Sequence, residues 1–155
     1  MKLLKGVCGV IAALTIVSTI AAQDTDQTKT DMQNLQGIWR VVSSQFVDEN
    51  ASENEVDNRK VTVMGNILIY QYGNRENDTQ EGFIKLNPKQ KAFDWTLTSP
   101  QQGVTLLAIY ELNGDDLRIG IKNDGLVRPR QFVAGREDVV WLAVLKRVKP
   151  RPTGS

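Results

Sequence analysis

From residue 37 onward, apolar and polar side chains alternate in short runs. A period of two marks strands with one buried and one wetted face. The stretch Leu35-Gln36-Gly37-Ile38-Trp39-Arg40-Val41-Val42-Ser43 opens the pattern and predicts a first strand over about Gly37–Phe46. Trp39, Val41, Ser43, Gln45 and Val47 then share one face, and Arg40, Val42, Ser44 and Phe46 the other. Lys60–Met64 and Ile67–Tyr72 follow, divided by Gly65-Asn66, a two-residue step typical of a hairpin. Gln80–Leu86 comes next, ended by the proline turn Asn87-Pro88-Lys89-Gln90. Phe93, Trp95 and Leu97 alternate cleanly with Asp94, Thr96 and Thr98. Val104–Leu112 is almost wholly apolar, and Asn113-Gly114 joins it to Leu117–Ile121. Val139–Val148 supplies the last strand.

These runs make eight strands joined by short turns, with no amphipathic helix of useful length between them. Such a chain forms a sandwich or an up-and-down barrel. Trp39 suits either, as a core tryptophan of a sandwich or as a plug at one end of a barrel. Sequential hairpins without a long crossover favour the barrel. The predicted fold is therefore all-β, an eight-stranded antiparallel up-and-down barrel over residues 35–148, with a basic tail over 149–155.

The N-terminal pattern is different. Lys2 and Lys5 precede an apolar run, Val7 to Ile20, that ends in Ala21-Ala22. This reads as a secretory signal over residues 1–22, cleaved after Ala21 or Ala22. The run is shorter than the ~20 residues a spanning helix needs, so no membrane span is expected after cleavage. Residues 23–34 are polar and aperiodic and read as a flexible lead. The expected location is periplasmic or extracellular.

Composition narrows the chemistry. The chain of 155 residues is 41% hydrophobic and 24% charged, as in ordinary single-domain globular proteins. Signal cleavage would lower Lys+Arg from 19 to 17 against 18 acids, leaving a net charge of −1. Such a balance offers no electrostatic drive toward nucleic acid. Cys8 lies in the signal and there is no histidine. A serine–histidine triad and a histidine or cysteine zinc site are thereby excluded, and no metal or cofactor is expected. Carboxylates remain. Asp115 and Asp116 share a hairpin turn, while Glu111 and Asp94 alternate away from the apolar faces of their strands. All four suit solvated or ion-paired positions, so the domain is expected to be non-enzymatic. The acids of the 48–59 loop lack the glycine and ligand spacing of a calcium loop.

The ordered motifs carry a resemblance. Gly37-Ile38-Trp39 resembles the Gly-x-Trp start of lipocalins and related calycin barrels. The chain is similar, more closely, to a small exported domain family of unknown function, lipocalin-like in fold and numerous in planctomycete bacteria. Beside Leu35–Ser43, the carrying residues are Gly82, Lys85-Leu86-x-Pro88 and Ile109-Tyr110-Glu111-Leu112-x-Gly114-Asp115-x-Leu117-Arg118. Arg128-Pro129 with Phe132, and Val144-Leu145-Lys146-Arg147, complete them. The loop after the first strand and the Asn123–Gly135 connection depart from that pattern. The resemblance implies barrel closure by Gly37, by Trp39 and by a basic residue of the last strand packed on the indole. Arg147, on the Trp141/Ala143/Leu145 face, is the preferred partner.

The inward set then reads Val41, Ser43, Val61, Val63, Ile67, Ile69, Ile84, Leu86, Phe93, Trp95, Leu97, Ala108, Tyr110, Leu112, Leu117, Ile119, Ile121, Trp141, Ala143 and Leu145. It could fill the barrel solidly. It could instead line a cup for a small apolar or amphipathic ligand, with Ser43, Gln71 and Tyr110 as polar handles beside Ile69, Phe93, Trp95 and Trp141. Two functions follow: a monomeric binding module for a small hydrophobic ligand, or a solid interaction domain acting through its outer surface and loops.

Overall fold

A computed structural model describes residues 17–46, 49–50, 56, 58–75, 77–122, 127–134 and 141–150. Helix α1 (Val17–Leu35) leads into strand β1 (Gly37–Phe46), followed by the two-residue β2 (Glu49–Asn50). Then come β3 (Lys60–Met64), β4 (Ile67–Gln71), β5 (Thr79–Asn87), β6 (Ala92–Ser99), β7 (Thr105–Asn113), β8 (Asp116–Lys122) and β9 (Trp141–Arg147). A 3-10 turn, Pro88–Gln90, links β5 to β6. Each strand from β3 to β9 pairs antiparallel with the next, and β1 pairs with both β3 and β9. The result is a closed eight-stranded up-and-down barrel, to which β2 adds a short pairing at the far end of β1. Its eight strands are those the alternation predicts.

The expected flexible lead at 23–34 is helical instead. Thr28, Asp31, Met32 and Leu35 fall at the i, i+3, i+4, i+7 spacing of one helix face. Leu35 and Asp31 are buried, and Met32 packs on the core. The helix lies over the barrel end that carries the β3–β4 turn and the 3-10 turn, packed against that 3-10 turn and β5. Gln36 fixes the chain at the helix exit. Its side chain donates to Gly65 O at 2.9 Å and accepts from Gly65 N at 2.7 Å.

Trp39 plugs this closed end, wholly buried, and its indole N–H donates to Leu35 O at 2.9 Å. The Arg147 guanidinium lies 4.1 Å from the Trp39 ring centroid, the pairing the resemblance implies. Gly37, at φ +117°, holds a conformation that suits glycine, and a Cβ there would lie 3.4 Å from Arg147 Nη1. Below the barrel's midline the interior is filled by Val41, Val61, Val63, Phe93, Ala108, Leu117, Ile119, Ala143 and Leu145.

Two strands depart from the predicted facing. A bulge between Val41 and Ser43, against β9, shifts the register of β1. Ser43 therefore faces out and Ser44 is buried. On β4 the inward residues are Leu68 and Tyr70, not Ile67, Ile69 and Gln71. The two-residue hairpin dictates this: Val63 opposes Leu68, so the two share a face.

Candidate functional site

Among the described residues, nothing fills the end of the barrel opposite α1. Here the strands rise past the core and enclose an open cup of about 520 Å³. Its apolar wall comes from Trp95, Leu97, Val104, Leu106, Ile121 and Trp141, and Phe46 and Tyr72 stand at the rim. Alternation on β6, β7 and β8 sends Trp95, Leu97, Leu106 and Ile121 inward together. The strands flanking Trp95 bring Ile84 and Leu106 beside it. Gly82 makes room for the Trp95 indole: a Cβ there would sit 2.8 Å from Trp95 Nε1 and 2.2 Å from Thr96 O. That indole N–H is buried without a hydrogen-bond acceptor.

A polar group interrupts the apolar wall near the mouth. Arg59 precedes β3, anchored by its own backbone. Val41 N donates to Arg59 O at 3.0 Å, and Arg59 N donates to Val56 O at 2.9 Å. Arg59 Nη1 donates to Ser44 Oγ at 3.2 Å, and Trp141 Nε1 donates to the same oxygen at 2.9 Å. Tyr70 packs tilted against Trp141, with ring centroids 4.8 Å apart, and against Tyr72 at 5.9 Å. Burial pushes the Tyr70 phenol up, and the adjacent Arg59 guanidinium only partly offsets this. Tyr70 is therefore a neutral hydroxyl near pH 7, able to donate. Gln80 and Gln101 add two amides. Among the described residues lining the cup, Arg59 carries the single charge.

The predicted lining residues divide between the two ends. Trp95 and Trp141 line the cup. Phe93 and Tyr110 are buried in the closed half, their ring centroids 6.1 Å apart. Ser43, Ile69 and Gln71 belong to the outward faces described above. Ser44 and Tyr70 take the inward positions that alternation assigns to Ser43 and Gln71. Arg59 and Gln101 sit outside the alternating runs, where no periodicity points to them.

Tyr110 serves a different site. Its hydroxyl donates to Asp31 Oδ2 at 2.5 Å, Lys91 Nζ donates to the same oxygen at 2.8 Å, and Gln27 Nε2 donates to Asp31 Oδ1 at 2.7 Å. Burial acts to raise the Asp31 carboxyl, but these hydrogen bonds outweigh it and hold the group below the usual carboxylate range. Burial, reinforced by the Asp31 bond, pushes the Tyr110 phenol well up. These bonds pin α1 across the closed end, and none of the four residues lines the cup.

The four carboxylates singled out in the sequence, Asp94, Glu111, Asp115 and Asp116, are held in ion pairs. Glu111 meets Arg118 across β7 and β8 at 3.1 Å. Asp116 meets Lys146 at 2.7 Å, and Asp115 meets Lys149 at 2.7 Å and Arg147 at 3.2 Å. The hydrogen bond from Lys149 is the main cause holding the Asp115 carboxyl below its ordinary value. Asp94 bonds Arg128, whose Nη1 also donates to Phe93 O at 2.9 Å and Ala108 O at 2.8 Å. A second recess of about 330 Å³ lies there, between α1 and the 3-10 turn. Its guanidinium is committed to those backbone carbonyls. Among the described residues no three acidic, histidine or cysteine side chains converge on a metal position. No described helix is long and apolar enough to cross a membrane.

No family model, curated protein or solved structure matches the chain.

Proposed function

We propose that the protein is an exported, non-enzymatic binding module that carries a small apolar or amphipathic molecule in its barrel. The observation that carries this reading is the open cup of about 520 Å³, walled by Leu97, Leu106, Ile121 and two tryptophans. Its size falls in the range of small-molecule sites, about 300–1,000 Å³. Apolar walls with a few polar groups suit a ligand whose main driving force is release from water. The construction of the barrel supports the same reading. One end is covered by α1 and packed solid, and at the other the described residues leave the cup. The motif resemblance to lipocalin-like exported domains, and the signal-type pattern of residues 1–22, support export and carriage by analogy.

The alternative, a domain working through its outer wall, draws on Met64, Ile67 and Phe83. They stand opposite one another across β3, β4 and β5, with Met64 and Phe83 exposed. Such exposed apolar side chains are common on barrels, whereas an open apolar cup is not required for folding.

The test is a titration with N-phenyl-1-naphthylamine, a neutral apolar fluorophore. The expected result is saturable enhancement of the probe with quenching of protein tryptophan emission, both lost when Leu106→Trp fills the cup. Linear, non-saturating enhancement, or equal binding by Leu106→Trp, overturns the reading.

A further inference from the structure

We propose that two copies of the chain associate through the outer wall of the barrel, by a twofold contact centred on Phe83 in which Glu81 of each copy meets Lys85 of the other. None of the residues involved lines the cup, so the contact stands apart from what the cup holds.

The outer face of β3, β4 and β5 carries a contiguous apolar patch. Met64 opposes Ile67 across β3 and β4, and Ile67 opposes Phe83 across β4 and β5, so the three form one row. Ile38 and Ile69 stand in the next row, on either side of Thr62. Ile38, Met64 and Phe83 are 44%, 56% and 50% exposed. Phe46, Tyr72 and Val104, also exposed, belong instead to the cup. A single exposed apolar side chain needs no account, but a contiguous set on adjacent strands marks an interaction surface.

Charge identifies the partner. Phe83 is flanked on the same outward face of β5 by Glu81 and Lys85, two residues to either side. Among the described residues neither makes an ion pair. Asp94, which opposes Lys85 across β5 and β6, is bonded to Arg128 instead, and Glu81 opposes Ile69 and Ser99. A twofold axis lying in the contact plane, perpendicular to β5 and crossing it at Phe83, reverses the strand direction. Phe83 then meets Phe83, the row from Met64 to Phe83 packs on its own copy, and Glu81 meets Lys85 on both sides of the axis. The patch is thus its own complement, as such an interface requires. The apolar row supplies the attraction and the charges fix the register. An anionic membrane attracts clustered cations, whereas this patch presents an acid beside its lysine. Because the two β5 strands run antiparallel, the two cups open in opposite directions.

The experiment is analytical ultracentrifugation of protein expressed from the full sequence, at low ionic strength, where exposed charges are least screened. The wild type is expected to show a monomer–dimer equilibrium with a dissociation constant of about 100 μM or tighter. Phe83→Ser should weaken it by about tenfold or more, and so should Glu81→Lys or Lys85→Glu, since each reversal sets like charges opposite one another at two places. Mixing Glu81→Lys protein with Lys85→Glu protein should restore association as a heterodimer, which misfolded variants could not do. Both reversals in one chain should restore the homodimer. A wild type that stays monomeric up to about 1 mM, a dimer that neither reversal weakens, or weakened variants that do not recover on mixing overturns the proposal. A monomer that instead binds phosphatidylglycerol vesicles through Phe83 also overturns it, in favour of a membrane surface.

Discussion

Arg147 stacks its guanidinium over Trp39, 4.1 Å from the ring centroid, and in the same pose donates to Asn34 O and Gln36 O, both at 2.6 Å. One side chain from the last strand thus joins the first strand to the end of the helix. The carbonyls at a helix C-terminus lack intrahelical partners, and a cation there satisfies them. The indole below is desolvated, which strengthens the cation–π contact.

Trp39→Ala is expected to cost about 3–5 kcal/mol, the scale for removing a large buried aromatic. Arg147→Ala is expected to cost about 0.5–1.5 kcal/mol, the scale of a hydrogen bond whose carbonyl water can reach once the side chain is gone. A double-mutant cycle by denaturant unfolding should show coupling of about 0.5–2 kcal/mol. Strictly additive losses would mean the two residues act independently.

Asp31 gives the closed end a dependence on pH. Its folded carboxyl lies below its ordinary value. The stability it contributes is therefore present above the unfolded pKa of about 3.9 and disappears as pH falls through the lower folded value. Unfolding free energies of the wild type should decline through that acid window, and those of Asp31→Asn should decline less. Near pH 7 the variant should be less stable by about 1–3 kcal/mol, since Tyr110 and Lys91 lose their charged acceptor. Superimposable pH profiles would show that the carboxylate does not pin the helix.

The bulge in β1 makes neighbouring serines behave oppositely. Ser44→Ala removes the acceptor of Trp141 Nε1 and is expected to cost about 1–3 kcal/mol. Ser43→Ala, on the outer face, should stay within about 0.5 kcal/mol of wild type. Thermal melts of the pair read the register directly, and the reverse order would place the bulge elsewhere.

Strand alternation made most of the barrel legible in the sequence, because burial on one face leaves a period-two signature that survives without any tertiary information. Trp39 and Arg147 were legible for a different reason, through an ordered motif set at both ends of the domain. The facing of β4 was also within reach, since a two-residue turn obliges Leu68 to follow Val63. The bulge was not: it adds a residue without altering composition. Nor was α1, whose inward stripe contains Asp31, a residue type that normally signals solvent. Its partners Tyr110 and Lys91 lie 79 and 60 residues away, so only the closed barrel turns a polar segment into a docked helix. The cup itself was legible as far as Trp95 and Trp141. Its charged group, Arg59, comes from a segment with no periodicity and enters the site through backbone anchors.

The most direct measurement is native mass spectrometry of the protein purified from the cells that make it. An account built on an open apolar cup predicts a non-covalent adduct of one small molecule per chain, shed on collisional activation and absent from Leu106→Trp. A bare mass for the wild-type protein, together with no saturable binding of N-phenyl-1-naphthylamine, would contradict it.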